Sequence, residues 1–425
     1  MSHTLSRIRS FCRHYLFATA SAVFLLTICT TLFPLPSKAC TAVIISSRVA
    51  QGHRPILFKN RDTPNVNNAV RCIAGERYRF VGVVAADDNE AQEVWGGHNE
   101  AGFAIINTAA YNLNGCAGLD SHHDGQLMRR ALELCATLDD FEQLLDTLTK
   151  PMDLNSNFGV IDARGGCAWY ETNDNGYVKF DANDPATAPH GYLTRTNHGM
   201  TGCHDNHVGV ERYMAIEQWM KQAYADNTLS ATHLIVTVPR HLTHGLTGIN
   251  LFDLQPASAE DTKMCAFRDF IPRWNTASAI LIEGVKKGES PLHTISWTNI
   301  GWPPAAVALP IVITPSDAMP TLVVAEGNKG AWLTQQSLLN KQRIFCAQGK
   351  NKNDYINLAP LINRQHTGIM QKVMDIEQEV MRHAITFVDN FRKTSPNKSD
   401  PLAKQFYQWA DQYIRQHYPT PTAQP

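Results

Sequence analysis

The chain is 425 residues long and carries 38 Lys and Arg against 39 Asp and Glu, for a formal charge of −1. That balance argues against a nucleic-acid surface and against a strongly anionic partner. An apolar content of 44% suits a globular protein, and no period of solenoid or propeller length is visible.

Taken in order, Arg7, Arg9 and Arg13 form a positive opening without acidic residues, and residues 15–35 then carry no charge. Ser37-Lys38-Ala39 follows as a small-x-small cleavage site, so residues 1–39 read as a signal peptide whose removal makes Cys40 the first residue. An uncleaved anchor is one alternative, because the apolar stretch approaches the ~20 residues that span a bilayer. A lipoprotein signal is another: it also leaves a leading cysteine, but Ser37 and Lys38 are not its usual aliphatic and small pair. The expected location is periplasmic or secreted, with membrane contact only through the leader.

Downstream, strands are expected at 41–45, 54–59, 78–85, 94–96 and 102–107 from apolar runs and turn residues. Helical spacing covers 126–135 and 138–148, the second with Asp139 and Asp140 in its first turn. Strands return at 157–161, 166–171 and 177–180, the last two parted by the turn Asn173-Asp174-Asn175-Gly176. Helices at 208–223 and 230–237 precede strands at 277–283, 294–299 and 306–314, and the chain ends in helices at 333–344, 361–391 and 401–417. Blocks of strands alternating with blocks of helices predict an α+β fold, two mainly antiparallel sheets with helices outside. We assign the catalytic domain to 40–330 and a helical part packed on it to 331–425, with a disordered Pro-rich tail from Tyr418. The long 361–391 helix is either a packed outer helix or a face for a homo-oligomer.

Two of the ten cysteines, Cys12 and Cys29, fall in the leader. With Cys40 set aside, seven remain, allowing at most three disulfides and one spare thiol; their pairing is not readable from sequence.

A cysteine at a processed N-terminus holds a thiol and an amine in one residue. An α-amine ordinarily titrates near about 7.7–8.0 and a thiol near about 8.5, so the amine can serve as base for its own side chain. Four segments are candidates to meet Cys40. Lys59-Asn60-Arg61-Asp62 ends the second strand, where a hairpin return brings it beside the N-terminus; a cation there lowers a thiol pKa and Asp62 can bond the amine. Asn107 ends an apolar strand and could donate to a developing oxyanion. Asn197, in Thr196-Asn197-His198, follows another strand, and Arg212 opens a helix. A turn former or a solvated charge is the plainer alternative for each.

In this order, Cys40-Thr41, the basic-Asn-x-Asp return, Asn99-Glu100-Ala101-Gly102-Phe103, Thr196-Asn197-His198 and the helical Arg212 resemble the choloylglycine hydrolase and penicillin V acylase group of N-terminal nucleophile hydrolases. The resemblance implies a four-layer αββα sandwich. It also implies hydrolysis of a linear N-acyl amide through a Cys40 thioester, with no cofactor. It gives Asp62 the role of orienting the amine, sets Asn107 and Asn197 near the oxyanion and the N-terminus, and makes Arg212 a site arginine. Lys59 stands where the group usually has Arg, and with Asn60 and Arg61 it is expected to meet a small-molecule substrate; a Lys keeps the charge but not the bidentate fork. Loops 63–71 and 111–125 are expected to shape the pocket. His198, Cys203, His204 and His207, and separately His122-His123-Asp124, are candidate metal clusters whose spacing matches no familiar zinc site, so no metal is expected. A dipeptidase-like peptidase, an acyltransferase and a non-catalytic, lipid-anchored or secreted binding protein of the same fold stay open.

Overall fold

A computed structural model describes residues 39–116, 123–327 and 329–419. The leader up to Lys38, His122 and the tail from residue 420 lie outside them. Among the described residues no helix is long and apolar enough to cross a membrane.

The strands in chain order are β1 (Cys40–Ile45), β2 (Ile56–Asp62), β3 (Asn68–Ala74), β4 (Arg79–Ala85), β5 (Gly97–Asn99) and β6 (Ala104–Ala109), then helices α1 (Asp124–Leu134) and α2 (Leu138–Asp146). Next come β7 (Ser156–Ile161), β8 (Cys167–Thr172), β9 (Tyr177–Asp181), β10 (Tyr192–Arg195), α3 (Val210–Ala225) and α4 (Ala231–Thr237). The remainder is β11 (Met264–Ala266), β12 (Thr276–Glu283), β13 (Ile295–Ile300), β14 (Ala308–Ile311), α5 (Trp332–Ile344), β15 (Tyr355–Asn357), α6 (Ile369–Lys393) and α7 (Asp400–His417).

Two antiparallel sheets carry the fold, one ordered β10-β1-β2-β12-β13-β14 and the other running β3 to β9 in sequence. Ala42, Ile44 and Leu57 of the first share a core with Val81, Ala104, Ile106 and Trp169 of the second, so the sheets stack face to face. Every residue of β1 is buried, which explains its unbroken apolar run: one face meets the other sheet and the opposite face meets helices. On the far side of the second sheet, α1 and α2, the latter through Phe141, close over Phe80, Phe103, Phe158 and Tyr170. Helices α3, α4 and α6 cover the first sheet, with α6 against β14 and α7 packed on α6. The result is the expected αββα sandwich.

The differences from expectation have local causes. Residues 94–96 are not a strand; Gly96, at φ 150°, turns the chain and β5 follows. The 63–71 loop ends early because Asn68 begins β3, whose pairing with β4 is masked in sequence by Arg71 and Cys72. The last long helix starts at Ile369 rather than 361, because Asn363 and Gln371 bond the turn before it: Asn363 N and Gly368 N both donate to Gln371 Oε1 at 3.1 Å. Tyr418, assigned to the tail, is buried with its hydroxyl on Ala305 O. One disulfide, Cys116–Cys203, occurs among the described residues, where Cys40, Cys72, Cys135, Cys167, Cys265 and Cys346 are free thiols.

Candidate active site

The β1–β2 register sets the site. Cys40 pairs with Arg61, Thr41 with Asn60 and Ala42 with Lys59. Because side chains alternate along a strand, Cys40, Lys59 and Arg61 face the second sheet, while Thr41, Asn60 and Asp62 face the helices. The apolar start of β2, Ile56 to Phe58, is locked in the core, and all four polar residues that follow are buried. Cys40 itself is 6% exposed.

On the inter-sheet side Lys59 Nζ donates to Trp95 O at 2.8 Å and to Asn107 Oδ1 at 2.6 Å. Asn107 Nδ2 in turn donates to Asp124 Oδ2 at 3.0 Å and Ser156 Oγ at 3.3 Å, and Ser156 Oγ donates to the same carboxylate oxygen. Arg61 lies 4.7 Å from the centre of the Trp95 ring and donates to Asn68 Oδ1 at 2.5 Å. Burial pushes the Lys59 ammonium down to about 8, against the pull of the Cys40 sulfur; burial likewise lowers Arg61 to about 10, again opposed by Cys40. Two desolvated cations therefore act electrostatically on the thiol.

On the other side Cys40 N, here a peptide nitrogen standing where the α-amine would be after cleavage, donates to Asn197 Oδ1 at 3.0 Å. Asn197 Nδ2 is anchored on Ala109 O at 2.9 Å. Arg212 reaches in from the first turn of α3: Nη2 donates to Asn197 Oδ1 at 2.7 Å, and Nη1 to Cys40 O and to Thr41 Oγ1. Burial lowers Arg212 to about 10, and neighbouring Arg273 adds to the shift. Gly209 caps α3 at φ 81°, and a Cβ there would lie 2.3 Å from Arg212 Nη2, so only glycine leaves the guanidinium its place.

Asp62 is turned elsewhere. Its carboxylate accepts from Arg273 Nε at 2.9 Å, from Thr276 Oγ1 at 2.5 Å and from Asn60 Nδ2 at 3.4 Å, and Asn60 Nδ2 also donates to Ile271 O at 3.0 Å. The acceptor on Cys40 N is Asn197, and Asp62 takes part through the charges of Arg212 and Arg273. Asn107, expected as an oxyanion donor, instead spends its amide on Asp124 and Ser156 and offers its oxygen to Lys59. The other seven residues singled out in the sequence lie on β2, β6, α3 or the β10–α3 connection, with Cys40 at the start of β1.

Trp95, Asp124, Ser156, Arg273 and Thr276 escaped the sequence reading. Asp124 stood in a cluster weighed for metal; Arg273 and Thr276, far along the chain, carried no signal. The zinc alternative loses Cys203 to the disulfide with Cys116. Among the described residues the one group close enough for a metal is Cys116, Cys203 and Asp205, whose cysteines are bonded to each other. His198 and His207 instead stack, with ring centres 5.0 Å apart. The disulfide ties the loop after β6 to that before α3, and Cys203 N donates to Asn112 O at 2.8 Å.

The site is thus a buried thiol on the first residue of β1 in an αββα sandwich, with its backbone nitrogen held by an amide oxygen. Residues 49–234 match the family model described as acyl-coenzyme A:6-aminopenicillanic acid acyl-transferase, which upholds the resemblance carried by the motifs; the matched stretch includes Lys59, Asp62, Asn107, Asn197 and Arg212 and begins after β1. No curated protein sequence matches the chain. Among solved structures, a conjugated bile acid hydrolase from Clostridium perfringens is similar at 10% identity, over 66% of this chain and 93% of its own, with a TM-score of 0.38. Penicillin V acylase from Agrobacterium tumefaciens is similar at 10% identity over 64% of this chain and 86% of its own (TM-score 0.33). The Caenorhabditis elegans ortholog of N-acylethanolamine-hydrolyzing acid amidase is similar at 15% identity over 47% and 87% (TM-score 0.33).

Proposed function

We propose that this protein is an exported hydrolase of linear N-acyl amides that uses Cys40, freed at the N-terminus by removal of residues 1–39, as its nucleophile. The class, an enzyme acting on the carbon–nitrogen bond of linear amides, follows the family match. The observation that carries the finer reading is the pairing at Cys40: a sulfur flanked by buried Lys59 and Arg61, and a nitrogen held at 3.0 Å by Asn197.

In the proposed reaction the Cys40 sulfur attacks the amide carbonyl carbon and its proton passes to the α-amine. Collapse of the tetrahedral adduct breaks the C–N bond, and the α-ammonium gives its proton to the departing amine. Water, with its proton taken by the same amine, then cleaves the thioester to a carboxylic acid and restores the thiol. Arg212 and Asn197 fix the nitrogen for both transfers. The location that fits an unmasked N-terminus is the periplasm or the exterior. The family name favours one second reading, transfer of the acyl group to an amine instead of water.

Two measurements test this. Mass spectrometry of the mature protein is expected to find a free Cys40 at its N-terminus. On a panel of N-acyl amides Cys40→Ala is expected to lose on the order of 10³-fold or more in kcat; full activity in Cys40→Ala overturns the mechanism. Adding a small free amine to a thioester acyl donor separates the readings, because hydrolysis gives the acid and transfer gives the new amide.

A further inference from the structure

The inter-sheet side of the site ends in a carboxylate that the sequence offered only as part of a metal cluster. Asp124 is the first residue of α1 and 5% exposed, and its Oδ2 collects Asn107 Nδ2 and Ser156 Oγ. An asparagine side chain has one accepting oxygen and two donated hydrogens. With Asp124 and Ser156 taking the hydrogens, the oxygen is obliged to face Lys59, where it sits 2.6 Å from Nζ.

We propose that Asp124 is a positioning residue for Cys40, acting through Asn107 and Lys59 to hold a cation against the sulfur. The proposal rests on the reading of Cys40 as the nucleophile. If the carboxylate is replaced by a neutral amide, Asn107 is free to flip and set its NH₂ against the Lys59 ammonium, which then keeps only Trp95 O of its two acceptors. The charge of Asp124 favours the ammonium form of Lys59. The groups acting on Lys59 are Cys40 from β1, Arg61 and Asp62 from β2 and Asp124 from α1, while Glu93 acts on Arg61 and α3 brings Arg212 to Cys40. Asp62 faces the helices and is paired with Arg273. Asp124 is therefore the carboxylate that reaches Lys59 through Asn107, on the sulfur's own side of the sheet.

The test uses protein purified after expression of the full chain. The pH dependence of Cys40 alkylation by iodoacetamide, localised by peptide mass spectrometry, is recorded for wild type, Asp124→Asn, Asp124→Glu and Asn107→Ala, each checked for folding by thermal unfolding. Asp124→Asn is expected to move the alkylation midpoint upward by about one pH unit, because losing the Lys59 ammonium beside the sulfur outweighs the opposite, downward effect of removing a more distant carboxylate. Asp124→Glu should bring it most of the way back, and Asn107→Ala should move it as Asp124→Asn does. In a Lys59→Met background Asp124→Asn should add no further shift. A folded Asp124→Asn or Asn107→Ala with the wild-type midpoint overturns the proposal, and so does an undiminished shift in the Lys59→Met background. Amide turnover surviving in Cys40→Ala would instead overturn the nucleophile reading, which the alkylation midpoints do not measure.

Discussion

The sulfur and the nitrogen of Cys40 are held in opposite ways. The sulfur faces the seam between the sheets, where Lys59 and Arg61 are steadied by neutral acceptors, Asn107, Trp95 O and Asn68, with the Asp124 carboxylate one step beyond Asn107. The nitrogen is contacted directly by Asn197, which also accepts from Arg212 of α3, while Arg273 pairs with Asp62 on the helix side of β2. One strand supplies residues to both sides, because alternation along β2 sends Lys59 and Arg61 one way and Asn60 and Asp62 the other. A nucleophile needs a poised charge and its base needs a fixed direction; the separation lets each be tuned without disturbing the other.

The strongest way to break this comparison is Asn197→Ala. It removes the acceptor from Cys40 N and from Arg212 Nη2 together, and each such bond involving a charged group is worth about 1.5–3 kcal/mol. Turnover of a good amide substrate should fall on the order of 10²–10³-fold in kcat with KM changed much less. Loss confined to KM would place Asn197 in substrate binding instead.

Asp62→Asn should cost less, about tenfold in kcat, because the carboxylate contacts Arg273 and Thr276 and reaches the nitrogen only through neighbouring charges. The role implied by resemblance, direct orientation of the amine, requires a loss as large as that of Asn197→Ala. Steady-state kinetics of the two variants side by side decide between these placements.

The site was legible in sequence as far as it is built from short-range order. Cys40 to Ile45 and Ile56 to Asp62 read as strands from their apolar runs, and a hairpin return is enough to bring Lys59 and Asp62 toward Cys40. Asn197 and Arg212 were found by their order behind Cys40, not by local patterning. What stayed hidden depends on pairings across long separations. Arg273 and Thr276 reach Asp62 because β12 pairs with β2, a contact that no turn or period announces. Asp124 reaches Asn107 because α1 lies over β6, and in sequence it stood beside two histidines that suggested a metal. The face each β2 residue would serve needed the second sheet in view, which is why Asp62 and Asn107 were placed at the site but given contacts that other residues make.

The finest difference between the two sides is in proton linkage. Lys59 titrates in the folded protein at about 8 against 10.5 ordinarily, because burial penalises its charge. Between those values the unfolded chain holds a proton that the folded Lys59 has released, so the unfolded state binds more protons and unfolding free energy rises with pH across that window. Below about pH 8 both states are protonated and the full penalty, about 3 kcal/mol at 1.36 kcal/mol per unit, weighs on the fold. Lys59→Met removes it. The unfolding free energy of wild type minus that of Lys59→Met should therefore grow in favour of wild type by up to about 3 kcal/mol between pH 7.5 and 10.5, measured by urea denaturation at each pH. Arg212 is lowered only to about 10 and remains charged through most of that range. Arg212→Met should therefore run parallel to wild type up to about pH 9, and a flat Lys59→Met difference would mean that the seam between the sheets does not hold its lysine at the edge of ionisation.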